Sequence, residues 1–169
     1  MLNSVYISVV KTFASVLLNC MAGYALSKYN FKGRNTIFIL LLATMMVPFP
    51  VTAIPIYLTL KSFSLLDTFT GLILPGLAGA YGIFLMRQFF QGVHSDYLQA
   101  ARIDGAGEFR IFWNIAMPMS KPALATLGIF TFMTNWNDYF FPFLVITKQK
   151  LRTLPLAIRA LASYQTNGT

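Results

Sequence analysis

The stretch that sets the class of this protein runs from Thr36 to Leu60 and reads TIFILLLATMMVPFPVTAIPIYLTL. It has 25 residues and no charged side chain, and roughly 20 helical residues are enough to cross a hydrocarbon core of about 30 Å. Its 13 Ile, Leu, Val and Phe side chains, at about −0.3 to −0.6 kcal/mol each, favour membrane insertion by roughly 4 to 8 kcal/mol. The stretch therefore predicts a helix that enters a membrane.

Three prolines interrupt this apolar run, namely Pro48, Pro50 and Pro55. Each of them lacks a backbone donor, so we expect the helix to be kinked or locally unwound where neighbouring protein or water satisfies the freed carbonyls. A broken helix of this kind can line a path through the membrane. It can equally be a bend fitted to packing, and the residues alone leave both interpretations open.

The rest of the chain has the same apolar character. Of its 169 residues 56% are hydrophobic, 15% aromatic and only 11% charged, and the mean hydropathy is +0.61. Ordinary soluble domains carry roughly 25% charged residues, and disordered chains are rich in charge and poor in aromatic side chains. The composition therefore excludes both classes and favours a membrane protein.

The charges and the metal-ligating residues narrow the function further. Thirteen Lys and Arg against five Asp and Glu give a net charge of +8, but the basic residues stand in short clusters between uncharged runs. That placement is typical of a polytopic membrane protein rather than of a nucleic-acid-binding surface. The single Cys20 excludes an intramolecular disulfide framework and a cysteine-based zinc cluster, and His94 is the one histidine. We therefore expect no nucleic-acid partner, no metal and no cofactor.

The hydropathy pattern predicts an all-α fold, with residues 1–169 forming one polytopic membrane domain of about four spans. Lys11 is the one charge of the first span and lies near enough to its start for the side chain to reach the headgroups. We expect Gly76, Gly79 and Gly82 to let another helix approach the third span closely. The predicted spans cover residues 4–26, 36–60, 68–86 and 122–147.

A long polar loop, residues 87–121, follows the third span. Its seven charges would cost about 2.5 to 3.5 kcal/mol each at mid-bilayer, so the loop lies outside the hydrocarbon. The basic residues of this loop and of the first connection outnumber those expected on the opposite side, which favours a cytoplasmic loop. The basic residues of the tail oppose that orientation, namely Lys148, Lys150, Arg152 and Arg159.

Two short helices are expected inside this loop. The first has Asp96 as its amino-terminal cap, with Gln99 reaching back to it, and it ends at Gly105, where a left-handed backbone is favoured. The second spans 108–116 and has an apolar stripe that should lie along the membrane surface until two prolines redirect the chain. An amphipathic linker without a partner would show the same pattern. The stripe consists of Phe109, Phe112, Trp113 and Ala116, and the prolines are Pro118 and Pro122.

The order of residues in this loop resembles a known motif. Gln99-Ala100-Ala101-Arg102-Ile103-Asp104-Gly105-Ala106, followed by Ile115-Ala116-Met117-Pro118, is similar to the EAA loop of ABC importer permeases. The spacing matches throughout, while Gln99 replaces the usual Glu and Met117 the usual Leu. Further stretches along nearly the whole chain resemble the carbohydrate-uptake class of these permeases, among them Gly71-Leu72-Ile73-Leu74-Pro75 and Trp136-Asn137-Asp138.

This resemblance implies a multi-pass permease subunit of the inner, cytoplasmic cell membrane that takes up sugars. In the family the EAA helix docks into a cytoplasmic ATP-binding subunit, and a second homologous permease and an external solute-binding protein complete the importer. The chain has no phosphate-binding loop of the form G-x-x-x-x-G-K-S/T, so it is expected to be non-catalytic, with hydrolysis supplied by the partner. The chain looks like a family member that lacks the first and last spans. The residues implied in ATPase coupling are Gln99, Ala100, Ala101, Arg102, Asp104, Gly105 and Pro118.

An acid inside the fourth predicted span, Asp138, is a second candidate. Acids within spans are functional candidates by default, and Trp136 and Asn137 beside it suit sugar stacking and hydroxyl hydrogen bonds in a translocation pathway. Asp138 is also expected near the outer interface, where a solvated acid has little cost. Both interpretations stay open.

The sequence disfavours the other classes of function that a membrane protein can have. A membrane enzyme would need paired carboxylates, a nucleophile elbow or a histidine with an acid, and none of these patterns occurs in the sequence. A passive channel or a small non-transporting membrane scaffold is the remaining alternative, and dependence of ATPase binding on Ala100 and Ala101 separates it from a permease. The residues do not identify the sugar.

Overall fold

The structure, a computed structural model, describes the backbone of residues 1–166 and the side chains of residues 1–160; residues 167–169 of the predicted domain lie outside it. The described part is α-helical and contains no β-strand, which confirms the predicted all-α class. The elements in chain order are α1 Leu2–Lys28, α2 Arg34–Thr44, α3 Phe49–Ser62, α4 Phe69–Ile73, α5 Ala80–Gly92, α6 Ser95–Ile103, α7 Glu108–Ile111, a π-helical turn Phe112–Ala116, α8 Met117–Met119, α9 Lys121–Asn137, α10 Phe140–Val145, a 3₁₀ turn Gln149–Leu151 and α11 Leu154–Thr166.

Helix α1 is a continuous span by length and composition. It has 27 residues, and its apolar character is interrupted by Lys11 before the helix ends at Lys28. Within the described residues it is the one unbroken helix long and apolar enough to cross a membrane. Up to three spans result if two bent helix pairs are each counted as one, α2 with α3 and Glu108–Met119 with α9.

The run from Thr36 to Leu60 is broken, as its prolines predict. Helix α2 ends at Thr44, and α3 begins at Phe49. Pro48 takes an extended backbone before α3, and Pro50 lies in the first turn, where its missing donor costs nothing. Pro55 lies inside α3, which continues to Ser62. The first two prolines therefore coincide with the break.

The stretch 68–86, expected as one packing helix, is divided in the structure. Helix α4 ends at Ile73, and α5 begins at Ala80. Pro75 lies in the connection and has no donor to continue the helix, and Gly76 after it has a φ of 79°, which is left-handed backbone. Helix α5 then continues to Gly92, so the start of the predicted loop is still helical.

Two compact units, each discontinuous in sequence, make up the described chain. The first unit consists of residues 1–14, 47–77 and 131–166. Contacts between distant segments hold it together: the Asn3 side-chain amide donates to the Lys150 carbonyl at 2.7 Å, and the Leu154 amide donates to the Ser4 hydroxyl at 2.6 Å. Its apolar core is formed by Ile7, Leu60, Leu72, Phe141, Val145, Ile146 and Leu156.

The second unit consists of residues 15–46 and 78–130. Here α1 and α5 approach closely at Gly23, where an added Cβ would lie 2.7 Å from the Cβ of Met86. The approach is equally close at Gly82, as the sequence predicts, because an added Cβ there would lie 2.6 Å from the Asn19 Nδ2. At Gly76 and Gly79 an added Cβ would meet nothing within 4 Å, so the predicted close approach does not occur there. The core of this unit is formed by Cys20, Tyr24, Met86, Phe90, Val93, Leu98, Ile111, Phe112, Ala116, Ala123 and Leu127.

Candidate functional site

Arg87, expected as the first residue of the polar loop, lies inside α5 and is 8% exposed. Its guanidinium stands 3.8 Å from the ring centroid of Phe38, and its Nε donates to the Leu26 carbonyl at 3.2 Å. A cation over an aromatic face and a hydrogen bond together explain how the charge is accommodated there. The polar loop therefore starts after Gly92, where α5 ends, rather than at residue 87.

Helix α6 carries the residues of the predicted motif. It begins at Ser95 with His94 as the capping position, and His94 makes no side-chain capping bond. The prediction that Asp96 is the cap was therefore wrong by two residues. Asp96 still lies in the first turn, where its negative charge interacts favourably with the helix dipole.

The two faces of α6 differ in exposure. Leu98 is 2% exposed and Ala101 is half-buried, and both pack on the core of the second unit. The opposite face is open: Tyr97 is 55% exposed and Ile103 86% exposed. Of the predicted coupling residues, those that are exposed are Gln99, Ala100, Arg102, Asp104, Gly105 and, beyond the helix, Pro118.

Gly105 ends α6 in the predicted conformation. Its φ is 80°, and the turn is closed by two backbone bonds, from the Gly105 amide to the Arg102 carbonyl at 3.0 Å and from the Ala106 amide to the Ala101 carbonyl at 2.9 Å. This pattern is the Schellman termination, which favours glycine because a Cβ is disfavoured at positive φ. The expectation of a left-handed residue at this position is confirmed.

Glu108 is the centre of a polar cluster next to this turn. Arg102 donates to Glu108 from Nε at 2.6 Å and from Nη2 at 3.2 Å, and the Tyr29 hydroxyl donates to Oε2 at 2.7 Å. The hydrogen bonds from Arg102 and then Tyr29 hold the pKa of Glu108 below its ordinary value. The sequence analysis named Arg102 as a coupling residue but did not connect it to Glu108, and it missed Tyr29 because that residue is distant along the chain.

The second helical piece of the loop differs from the expected amphipathic helix. Phe112 and Ala116 are buried, whereas Phe109 is 70% exposed and Trp113 38% exposed, so the expected stripe is split between two faces. A π-helical turn, Phe112–Ala116, follows α7 and, because it is wider than an α-turn, changes the residues that share a face from Phe112 onward. Ile111 is fully buried and packs in the core of the second unit, where the stripe predicted Phe109 and Trp113.

Pro118 lies in the short helix α8 and does not end the helical segment, which continues to Met119. The chain then changes direction by 81° before α9 begins at Lys121. The predicted redirection of the chain is confirmed, but it occurs at Ser120.

A cavity of about 430 Å³ lies within the first unit and is lined in part by Asp138. Lys11 lines the same cavity, its ammonium 5.6 Å from the ring centroid of Phe141. Both also line a smaller space of about 10 Å³, where the Asn135 Nδ2 and the Thr153 Oγ1 have no hydrogen-bond partner. Sequence reasoning placed Lys11 near the headgroups and did not join it to Asp138.

The other two predicted pathway residues do not line this cavity. Asn137 turns back and donates to the Met133 carbonyl at 2.8 Å, and Trp136 stacks on Phe132 with ring centroids 5.8 Å apart. Asn137 and Asp138 share a shallow depression of the surface instead. Of the three predicted residues, the structure therefore brings Asp138 alone to the larger cavity.

The apolar helices, the bent helix pairs and the exposed loop helix define the class of this protein as a polytopic all-α membrane protein. The chain belongs to the family described as "Binding-protein-dependent transport system inner membrane component", whose model matches residues 15–167. The resemblance inferred from the EAA-like spacing is thereby confirmed.

Two named relatives show similarity along nearly the whole chain. The arabinooligosaccharides transport system permease protein AraQ of Halalkalibacterium halodurans is 37% identical over 159 residues, which is 94% of this chain and 57% of the relative. The sn-glycerol-3-phosphate transport system permease protein UgpE of Yersinia pestis bv. Antiqua (strain Antiqua) is 38% identical over 163 residues, 96% of this chain and 58% of the relative.

A solved structure shows the same fold. It is titled as the crystal structure of a bacterial ABC transporter involved in the import of the acidic polysaccharide alginate, and one of its chains superposes with a TM-score of 0.84 at 29% sequence identity. The match covers 93% of this chain and 55% of that one. The chain thus spans a little over half the length of the proteins it matches.

Proposed function

We propose that this chain is a permease subunit of an ATP-driven importer and that it carries solute across the cell's inner membrane by alternating access. The observation that carries the proposal is α6, an exposed loop helix with the spacing of the EAA motif that ends at a glycine of φ 80°. Family membership supports the same conclusion. The partners are a cytoplasmic ATP-binding subunit, a second homologous permease and an external solute-binding protein.

The surface of α6 supports contact with another protein. Tyr97 and Ile103 are large, apolar and exposed, and Ala100 between them is small enough for close approach of a partner. Leu98 on the opposite face anchors the helix to the core of its unit. A partner that binds the exposed face would therefore act on a helix that is already seated in the permease.

The chain leaves hydrolysis to the ATP-binding subunit. Its sequence has no phosphate-binding loop of the P-loop type, so the bound nucleotide and the hydrolytic residues belong to the partner. In this division of labour the permease is non-catalytic and supplies the path of the solute.

The solute is a sugar or a related polyol. One relative is named for arabinooligosaccharides and another for sn-glycerol-3-phosphate, and the solved transporter is described as involved in the import of alginate. Hydroxyl-rich solutes are therefore common to all three. The cavity at Asp138 suits this chemistry because it combines the polar groups of Lys11 and Asn135 with the aromatic rings of Phe49 and Phe141.

ATP-driven uptake by the assembled complex tests this proposal. The chain is co-produced with a second permease, an ATP-binding subunit and a solute-binding protein of this family, reconstituted in liposomes, and assayed for uptake of labelled arabinooligosaccharide and glycerol phosphate with and without ATP. Ala100→Trp should abolish both ATPase co-purification and uptake, whereas Ala125→Trp, the same change at an exposed alanine of α9, should leave ATPase binding intact. Solute flux that needs no ATP would favour a passive channel, and no flux together with no bound ATPase would favour a scaffold.

A further inference from the structure

The segment that contains α6 is attached at both of its ends to Lys28, the last residue of α1, and to Tyr29, which follows it. Ahead of α6, the Lys28 ammonium donates to the carbonyl of Val93. Behind α6, the Tyr29 hydroxyl donates to Glu108 at 2.7 Å. Lys28 and Tyr29 are consecutive, so both ends of the segment 93–108 are bound to one point of the chain.

The carboxylate of Glu108 also holds the last turn of α6. Arg102 donates to both of its oxygens, at 2.6 Å to Oε1 and 3.2 Å to Oε2, and the second oxygen is the one that Tyr29 binds. A guanidinium donating to a carboxylate through two N–H groups has a fixed relative orientation. One side chain therefore connects α6 directly to the residue that follows α1.

The surroundings fix the roles of donor and acceptor in this connection. The Tyr29 ring packs edge-on against the buried ring of Tyr24, with centroids 5.8 Å apart. Burial, followed by the hydrogen bond to Glu108, raises the pKa of Tyr29 to about 12, so its hydroxyl keeps the proton that it donates. Glu108, whose pKa is lowered, stays ionised at neutral pH.

We propose that Tyr29 and Glu108 are a positioning pair that transmits movement of α6 into α1, an inference that rests on the coupling role proposed above for α6. With both attachments present, a movement of α6 also moves the end of α1, because one contact precedes α6 and the other follows it. With the contact to Glu108 removed, α6 still packs on the core through Leu98, but its carboxyl end is no longer attached to Tyr29. Helix α1 is unbroken from Leu2 to Lys28, so a displacement at its end is carried along the element.

The exposure of the pair decides which measurement is informative. The hydrogen bond from Tyr29 to Glu108 is exposed, and the side chains of the neighbouring Arg102–Glu108 ion pair are 40% and 44% exposed, where such contacts contribute little to stability. Removal of the Tyr29 hydroxyl should therefore leave folding and assembly unchanged. The expected effect is on the amount of solute moved for each ATP hydrolysed.

The test measures uptake and ATP hydrolysis in parallel with the reconstituted complex. Tyr29→Phe and, separately, Glu108→Met, which leaves no acceptor for the Tyr29 hydroxyl, should retain bound ATPase and its hydrolysis but lower the uptake-to-hydrolysis ratio by roughly fivefold or more, the low end of typical coupling energies. The double variant should lose no more than either single one, because the two side chains act through each other. Tyr81→Phe, which removes a hydroxyl from a tyrosine of α5 that is 49% exposed, is the matched control and should leave the ratio unchanged.

The outcomes separate this inference from the proposed function. If the unaltered complex shows no ATP-driven uptake, the proposed function fails. If the unaltered complex transports and both variants keep its ratio, the coupling role of α6 stands and the positioning pair is wrong. Equal losses of hydrolysis and uptake would mean a merely structural role and would also overturn the inference.

Discussion

The side chain of Asn19 on α1 lies directly against the α-carbon of Gly82 on α5. A Cβ placed on Gly82 would be 2.6 Å from the Asn19 Nδ2, closer than real Cβ atoms approach. The Asn19 Oδ1 also accepts a hydrogen bond from the Gly79 amide at 3.0 Å, so the side chain has little freedom to move away. The side-chain amide of Asn19 therefore sets both the close contact between α1 and α5 and the backbone hydrogen bond at Gly79, where α5 starts.

We therefore expect Gly82→Ala to destabilise the protein by about 1 to 3 kcal/mol, the usual cost of overpacking. Thermal unfolding of the purified protein in detergent measures the change. Gly128→Ala is the control, because Gly128 lies inside α9 and an added Cβ meets nothing within 4 Å there. It should stabilise the helix by up to about 1 kcal/mol. Equal effects of the two changes would contradict the close contact.

Gly105 should be more sensitive to substitution than Gly107, although both have room for a methyl group. The φ of Gly105 is 80°, where a Cβ costs roughly 1 to 2 kcal/mol. The φ of Gly107 is −69°, which any residue adopts. Gly105→Ala should therefore lower both co-purification of the ATPase and coupled uptake, and Gly105→Leu should abolish uptake. Gly107→Ala should change neither, and the reverse order would contradict the role assigned to the helix end.

Asp138 and Lys11 should affect uptake through their charges, because both line the cavity of the first unit. Asp138→Asn keeps an oxygen able to accept the hydrogen bond from the Phe141 amide but removes the charge, so uptake should fall while assembly is retained. Initial rates of labelled solute uptake measure the loss. An unchanged rate would favour the solvated interfacial acid.

The double variant Lys11→Met with Asp138→Asn distinguishes a charge balance from a direct contact with solute. Removal of one partner leaves a charge uncompensated in a largely apolar space, which is more costly than removal of both. If the two charges balance each other, the double variant should be more stable to heat than either single variant. Additive losses would show that the two residues act independently.

Asp67 should make the stability of the protein depend on pH in the acidic range. Its carboxylate accepts hydrogen bonds from the Thr147 amide at 2.6 Å, the Thr147 hydroxyl and the Lys148 amide at 2.9 Å, and the bond from the Thr147 side chain is the main reason that its pKa lies below the ordinary value of 3.8. A lowered folded-state pKa means that this contribution is fully present above 3.8 and is lost as the pH falls through the lower folded value.

The measurement for Asp67 is the midpoint of thermal unfolding in detergent as a function of pH. Asp67→Asn tolerates the local φ of 56° and keeps one acceptor, so it isolates the charge. This variant should be less stable than the unaltered chain at neutral pH, and the difference should vanish in acid. A difference that is constant with pH would show that the carboxylate is not the group responsible.

Much of the fold follows from properties of neighbouring residues. The apolar run 36–60 predicts both a membrane segment and, through its prolines, the break that separates α2 from α3. Hydropathy alone predicts one helix over 68–86, whereas Pro75 and the left-handed Gly76 separate α4 from α5. The buried Arg87 was missed for a different reason: a charge reads as a loop residue unless the aromatic ring that covers it is known.

The candidate site shows the same division. Gly105 and the spacing around it are local, since a helix termination involves residues within six positions of each other, and the structure has the expected left-handed turn. The predicted stripe in 108–116 is wrong because Ile111 rather than Phe109 faces the core and because a π-helical turn, which hydropathy alone does not reveal, changes the residues that share a face after Phe112.

Class, family and loop motif were readable along the chain because hydropathy, helix termination and motif spacing depend on contiguous residues and need no partner. Folding alone brought Lys11 and Asp138 to one cavity, Tyr29 against Glu108 and Asn19 against Gly82. The physical reason is that side-chain hydrogen bonds, ion pairs and steric contacts act over a few ångströms of space. Residues far apart along the chain meet at that range only after the helices have packed.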